Sequence, residues 1–141
     1  MSWLLDADVL SQPIKRHGNR AVIEWLAREQ DDCYTSTVVV AQIAYWIPTK
    51  EGRTRAELQE WLRRSIEALE GRILSFNVAT AHIWADQKFL FERAGQPMPI
   101  EDSYIAASAR RYDLTIVTGN EKDFRRPGLK VFNPFKELPR L

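Results

Sequence analysis

Cysteine and histidine are scarce. The 141 residues contain one cysteine, Cys33, and two histidines, His17 and His82. A single thiol excludes a disulfide framework and a clustered thiolate metal site, and it suits a reducing compartment. Neither sign of charge dominates: 20 Lys and Arg stand against 19 Asp and Glu, for a formal net charge of +1. No global basic field therefore grips polyanions, and any nucleic-acid contact must come from a local patch. No apolar stretch approaches the ~20 residues of a membrane helix, so no membrane contact is expected. The opening Met1-Ser2-Trp3-Leu4-Leu5-Asp6 has no basic segment followed by an apolar core, so a cytoplasmic protein is expected. Neither GxxxxGK[ST] nor GxGxxG occurs, which argues against a nucleotide cofactor. With 45% hydrophobic residues, the chain has enough apolar material for one core, and a single domain over 1–141 is expected.

Short β-type runs alternate with helical patterns. Trp3-Leu4-Leu5 reads as a buried strand, and Ala21 to Glu29 as a helix with Val22, Ile23, Trp25 and Leu26 on its apolar stripe. Cys33 to Ser36 reads as a strand, and Val38 to Ile47 as a further apolar element. Thr54-Arg55-Ala56-Glu57 has the form of a capping box and opens an amphipathic helix, with Leu58, Trp61, Leu62, Ile66 and Leu69 at core spacing. Ile73 to Phe76 reads as a third strand. Asn77 then caps a helix carrying Ile83, Trp84, Leu90 and Phe91. The prolines of Gly95-Gln96-Pro97-Met98-Pro99 prime the next helix, from Ile100 to Arg111. Leu114 to Val117 is the best strand of the chain, and Leu129 to Phe132 a weaker last one. Strands separated by helices need crossover connections, so the class is α/β, with a parallel sheet and helices on both faces.

Ligands of such sheets bind outside the carboxyl ends of the strands. Asp6 directly follows the first strand, with Asp8 close behind. Glu101 and Asp102 open a helix, and Asp123 lies beyond the best strand. Carboxylates converging there from separate segments would repel one another unless a hard cation lay between them. Oxygen-only ligands favour Mg²⁺ or Mn²⁺, which support phosphoryl chemistry. Each acid also has an ordinary structural explanation. Asp8 suits a helix cap, Glu101 and Asp102 suit the helix dipole, and Asp123 suits a turn. Spacing alone leaves both explanations open.

The words of the sequence add a resemblance. Leu4-Leu5-Asp6-Ala7-Asp8-Val9-Leu10 resembles the LLDTNVL opening of PIN-domain proteins, in particular the VapC toxins of toxin–antitoxin pairs. Further matches follow in family order. Thr35-Ser36 with Val38 to Ile43 is similar to YLSxxTxxEI, and Gly71-Arg72-Ile73-Leu74 to GRILP. Gly95 to Ala107 is similar to GxPxPxxDxxIAA, Val117 to Phe124 to VTRNxxDF, and Asn133-Pro134-Phe135 to NPW. The resemblance implies a three-layer α/β/α sandwich and a metal-dependent endoribonuclease. It places Asp6, Asp102 and Asp123 as ligands of Mg²⁺ or Mn²⁺, Asn120 beside them, and Thr118 as a nearby hydroxyl. It implies an RNA substrate, a homodimer and a VapB-like antitoxin that neutralises the toxin.

One departure stands out. The family's second acid, the Glu of TxxEI, aligns with Gln42, which has nearly the same shape but carries no charge. Gln42 therefore joins Asp6, Asp102, Asn120 and Asp123 in the expected catalytic set, with attenuated activity as one consequence. An inactive scaffold that only binds RNA or antitoxin is the alternative. Asp8 stands where the family usually has Asn, so it returns a carboxylate to the cluster unless it is only a cap. A phosphoacceptor signalling domain fits less well, because Asn77 rather than Asp follows the third strand. For substrate contact, Thr118, Asn120 and Arg125 are the expected residues, with Arg16, His17, Arg20, Arg110, Arg111, Lys122 and Arg126 as further candidates for steering phosphate. Trp46 and Ile47 are expected to form an exposed apolar edge for a partner.

Overall fold

The computed structural model describes residues 1–50 and 52–138. Its strands are β1 (Trp3–Leu5), β2 (Cys33–Ser36), β3 (Ile73–Leu74), β4 (Thr115–Val117) and β5 (Lys130–Phe132). Among the described residues they form one parallel sheet in the order β3-β2-β1-β4-β5. The chain builds outward from β1 to β2 and β3, then returns to lay β4 on the other side of β1. The order therefore reverses between β1 and β4, the place where open parallel sheets leave a crevice at their carboxyl ends. Trp3 pairs with both Cys33 and Thr115, and Leu5 pairs with Val117, so β1 and β4 end level with each other.

Helices cover both faces. They are α1 (Ala7–Leu10), α2 (Arg20–Glu29), α3 (Thr37–Trp46), α4 (Gly52–Ala68), α5 (Val78–Arg93), α6 (Ile100–Arg111), α7 (Glu121–Phe124) and α8 (Pro134–Glu137). Successive strand residues point to opposite faces, and β1 shows the consequence. Leu4 joins a core with Val39, Ile43, Leu58, Ile105, Ile116 and Phe124, under α3, α4 and α6. Leu5 joins a second core with Val9, Val22, Trp25, Cys33 and Val117, under α1 and α2. The three-layer α/β/α arrangement follows from this alternation. Cys33 lies in the second core, where burial pushes its thiol up to about 12. No helix among the described residues is long and apolar enough to cross a membrane.

Several expectations need correction. Helix α4 begins at Gly52, so Thr54 lies within the helix rather than at its cap. Ile66 is 39% exposed: at ~100° per residue it sits about 80° round from Leu58, at the edge of the buried stripe. Strand β3 stops at Leu74, because its partner β2 ends at Ser36 and turns into α3; Phe76 is exposed beyond it. Leu90 is exposed on α5 while Phe91 is buried. Trp46 and Ile47 do not form an open edge. Ile47 is 3% exposed and Trp46 packs against the same core, leaving Tyr45, 83% exposed, as the open aromatic of that segment.

Candidate active site

The site lies at the reversal between β1 and β4. Asp6 ends β1 and caps α1: its Oδ1 accepts from the Ala7 N–H at 2.9 Å, and its Oδ2 accepts from the Thr118 hydroxyl at 2.8 Å. Thr118 follows β4, is fully buried, and its Oγ1 also accepts from the Asn120 N–H at 3.0 Å. The Asn120 amide donates to Asp123 Oδ2 at 2.7 Å. A single chain of bonds thus runs from the end of β1 to α7. Pro99 precedes α6, which sets Glu101 and Asp102 in its first turn. On α3, Gln42 completes the ring.

These elements enclose a cleft of about 910 Å³ lined by Asp6, Asp8, Gln42, Glu101, Asp102 and Asn120, with Tyr45 at its wall. Asp123 is joined to the cleft through Asn120 and through its charge, which acts on Asp102. Burial raises the Asp6 carboxyl above its usual range, offset in part by the Thr118 and Ala7 hydrogen bonds. Burial raises Asp8 to about 6, with the Asp6 charge adding to it. Asp102 rises to about 7, first through burial and then through Asp6, Asp123, Glu101 and Asp8. After burial, the shared cause of these shifts is the closeness of the carboxylates to one another.

Asp8 is not a cap; that position belongs to Asp6. Its Oδ2 instead accepts from the Gly119 N–H at 2.8 Å, tying α1 to the loop after β4. Gly119 is required by close approach. A Cβ there would lie 2.8 Å from Asp8 Oδ2 and 3.0 Å from two carbons of the Phe135 ring. Gly119→Ala is therefore expected to lower the denaturation midpoint, at a cost of about 1–3 kcal/mol, because backbone or ring must shift to admit the methyl group. Urea unfolding checks this, and an unchanged midpoint would show that the loop gives way freely.

The basic residues are more occupied than the sequence suggests. Arg126 donates to the carbonyls of Gln96 (2.9 Å), Pro97 (2.7 Å), Lys122 (3.1 Å) and Arg125 (3.1 Å). It staples the loop before α6 to α7, and so sets Asp102 relative to Asp123. Arg125 pairs with Glu121 at 2.8 Å, and Arg111 donates to Asn77 Oδ1 at 2.6 Å. Glu121, held by Lys136 and Arg125, stays below the usual carboxylate range. The sequence marks Glu101 as one of the converging acids without giving it a place in the expected catalytic set, and it does not mark Tyr45 as part of the site. Tyr45 lies three residues after Gln42 on α3, so helical periodicity alone puts both on one face.

The donor set suits a hard cation. Every candidate ligand is an oxygen, Asp8 Oδ1 and Gln42 Oε1 are buried without partners, and Asp6, Asp8, Asp102 and Asp123 make no ion pair to Lys or Arg among the described residues. The acids are gathered without being closed into a shell. Among the described residues, no three acidic, histidine or cysteine side chains stand ready to hold an ion, since Asp6, Asp8 and Asp123 turn oxygens to Thr118, Gly119 and Asn120.

Residues 3–129 match the model of the PIN domain. The chain is similar to Toxin FitB of Neisseria gonorrhoeae, 33% identical over 137 residues, covering 95% of this chain and 99% of that protein. It is also similar to VapC ribonuclease Y4jK of Sinorhizobium fredii, 29% identical over 136 residues, covering 94% and 97%. The crystal structure of FitAcB from Neisseria gonorrhoeae superposes with a TM-score of 0.89 at 31% identity, covering 95% of this chain and 99% of that one. The family match runs from β1 through β4 and includes Asp6, Asp8, Glu101, Asp102 and Asp123, and the chain belongs to the PIN-domain family.

Proposed function

We propose that this chain is the toxin of a VapBC- or FitAB-type toxin–antitoxin pair, an endoribonuclease that uses a divalent cation and is neutralised by a cognate VapB-like antitoxin. The observation that carries the catalytic reading is the meeting of Asp6 and Asp102, from separate segments, in one cleft at the carboxyl ends of β1 and β4, with Asp123 tied to it through Asn120. The name of the relative VapC ribonuclease Y4jK supports RNA as the substrate.

In this reading Asp6, Asp102 and Asp123 hold Mg²⁺ or Mn²⁺. The bound cation would neutralise charge on an RNA phosphodiester and lower the pKa of an attacking water. The remaining work belongs to the chain's own residues. Thr118 fixes the Asp6 carboxylate, and Asn120 fixes Asp123, so neither acid has to be reoriented far when substrate arrives. Asn120 lines the cleft, and with its Nδ2 committed to Asp123 its side-chain Oδ1 is the atom it offers to substrate. Arg125, although paired with Glu121, is 55% exposed and offers further donors to a phosphate. Tyr45 presents an exposed ring on which an unpaired base can stack. Tyr45→Ala is expected to weaken RNA binding by roughly tenfold or more, the ~1–3 kcal/mol of one stacked base, with folding unchanged. Fluorescence anisotropy with a short single-stranded RNA measures it, and unaltered affinity would remove Tyr45 from the substrate path. A homodimer completes the reading.

Purified protein incubated with total cellular RNA tests the activity. Cleavage with Mn²⁺ or Mg²⁺ that stops on chelation supports it. The uncharged Gln42 favours a second reading, a scaffold that binds antitoxin or RNA without cutting. RNA left intact at every metal concentration, by protein that still binds it, would support the scaffold.

A further inference from the structure

We propose that Glu101 is a further metal-site carboxylate, supplying the charge that Gln42 lacks, and that Gln42 is the positioning residue that holds it there. The proposal rests on the metal-dependent reading above. Gln42 on α3 donates from Nε2 to Glu101 Oε1 at 2.9 Å, across 59 residues of sequence. Both side chains line the acidic cleft together with Asp6, Asp8 and Asp102.

A helix dipole explains an acid in the first turn of α6, but it does not explain why that acid is tied to another helix across a cleft. The bond has a chemical direction. A carboxylate only accepts, so it needs a donor opposite, and at neutral pH an amide supplies one where a second carboxylate would repel. Gln42 and Glu101 are therefore complementary: together they bring one negative charge to this edge of the cleft, and it resides on residue 101. The other end of the same amide, Oε1, is buried without a partner and adds a neutral oxygen donor to the site. The glutamine therefore does not simply delete a charge. The site has an acid at that edge, carried by the neighbouring helix.

The arrangement makes reciprocal exchange informative. Glu101→Gln removes the charge and leaves two amides facing each other. Gln42→Glu places two carboxylates side by side. The double variant Gln42→Glu/Glu101→Gln restores one amide, one carboxylate and one charge, with the direction of the bond reversed.

Mn²⁺ titration by calorimetry on the full-length protein tests the proposal, with thermal melting of every variant as the control for folding. Asp102→Asn serves as the reference for loss of the site. Glu101→Gln is expected to weaken Mn²⁺ binding about 10- to 100-fold, and Gln42→Ala about tenfold through loss of positioning. The double variant is expected to recover affinity to within a few-fold of wild type, which loss of packing alone would not produce. Wild-type affinity in Glu101→Gln, or a double variant as weak as Glu101→Gln, would overturn the proposal. If Asp102→Asn abolishes binding in the same series, the metal-dependent reading survives that result. Failure of the wild-type chain itself to bind Mn²⁺ would overturn both.

Discussion

Asp102→Asn is expected to cut RNA cleavage steeply while making the metal-free protein more stable at neutral pH. The two effects share one cause. Asp102 is part-buried in the first turn of α6, and burial, reinforced by the charges of Asp6, Asp123, Glu101 and Asp8, raises its carboxyl to about 7. A carboxyl raised above its usual 3.8 favours the folded state when protonated. That contribution is complete below the ordinary carboxylate range and is lost as pH rises through about 7. Asp6 and Asp8 are raised as well, so they act in the same direction. The metal-free wild type should therefore lose stability between about pH 4 and 7. In the Asp102→Asn variant the substituted amide cannot ionise, so this protein should escape that share of the loss. Discounted for solvent screening, the share is on the order of 1–2 kcal/mol, a gain of several degrees in Tm at pH 7.5. Activity moves the other way. Without the Asp102 charge the cation loses a ligand, and cleavage should fall by about a hundredfold or more. Melting curves at pH 5 and 7.5, with and without Mn²⁺, check the linkage. Mn²⁺ should raise the wild-type Tm and leave that of Asp102→Asn nearly unchanged. A variant less stable than wild type at pH 7.5 would show that Asp102 serves the fold rather than the site.

Thr118→Val is expected to damage fold and chemistry together. The substitution nearly preserves volume in a fully buried position but deletes the hydroxyl that donates to Asp6 Oδ2 and accepts from the Asn120 N–H. An Asp6 oxygen and a backbone donor are then left without partners in a part-dry setting, at a cost of about 2–3 kcal/mol. The Thr118 bond also holds the Asp6 carboxyl down against the effect of burial. Its removal should raise Asp6 further, so the charged form needed for cation binding appears only at higher pH. The pH profile of cleavage should shift to the alkaline side, and Thr118→Ser should restore both the profile and stability. An unshifted profile in a destabilised Thr118→Val protein would limit Thr118 to a packing role.

Much of the architecture was legible because it depends on local periodicity. The strands at Trp3–Leu5, Cys33–Ser36 and Thr115–Val117 and the helix at Ile100–Arg111 stand within a residue of where alternation, capping and proline placed them. The misplacements concern neighbours that sequence does not show. Ile73 to Phe76 reads as four strand residues, yet β3 keeps only the two that have a partner in β2. Leu90 is apolar but faces outward, because α5 packs mainly on α6 and uses Phe91, with the polar Thr80 and Gln87, on its buried side.

The candidate site divides in the same way. Asp6, Asp102, Asn120 and Asp123 lie beside strand ends or helix starts, where chain punctuation marks them. Gln42, Asp8 and Glu101 are joined only through space: Gln42 bonds to a residue 59 positions away, and Asp8 to Gly119, 111 positions away. No local pattern encodes either contact. Arg126 illustrates the converse. As a charge after the last acid it resembles a phosphate contact, but its guanidinium is committed to four backbone carbonyls.

In the proposed function, Asp6, Asp102 and Asp123 gather a divalent cation at the β1–β4 reversal. Anomalous diffraction from crystals grown with Mn²⁺ tests it most directly. A strong peak is expected in the cleft within coordination distance of these three carboxylates, lost in Asp102→Asn. A cleft without a peak, in crystals of protein that still cleaves RNA, would contradict it.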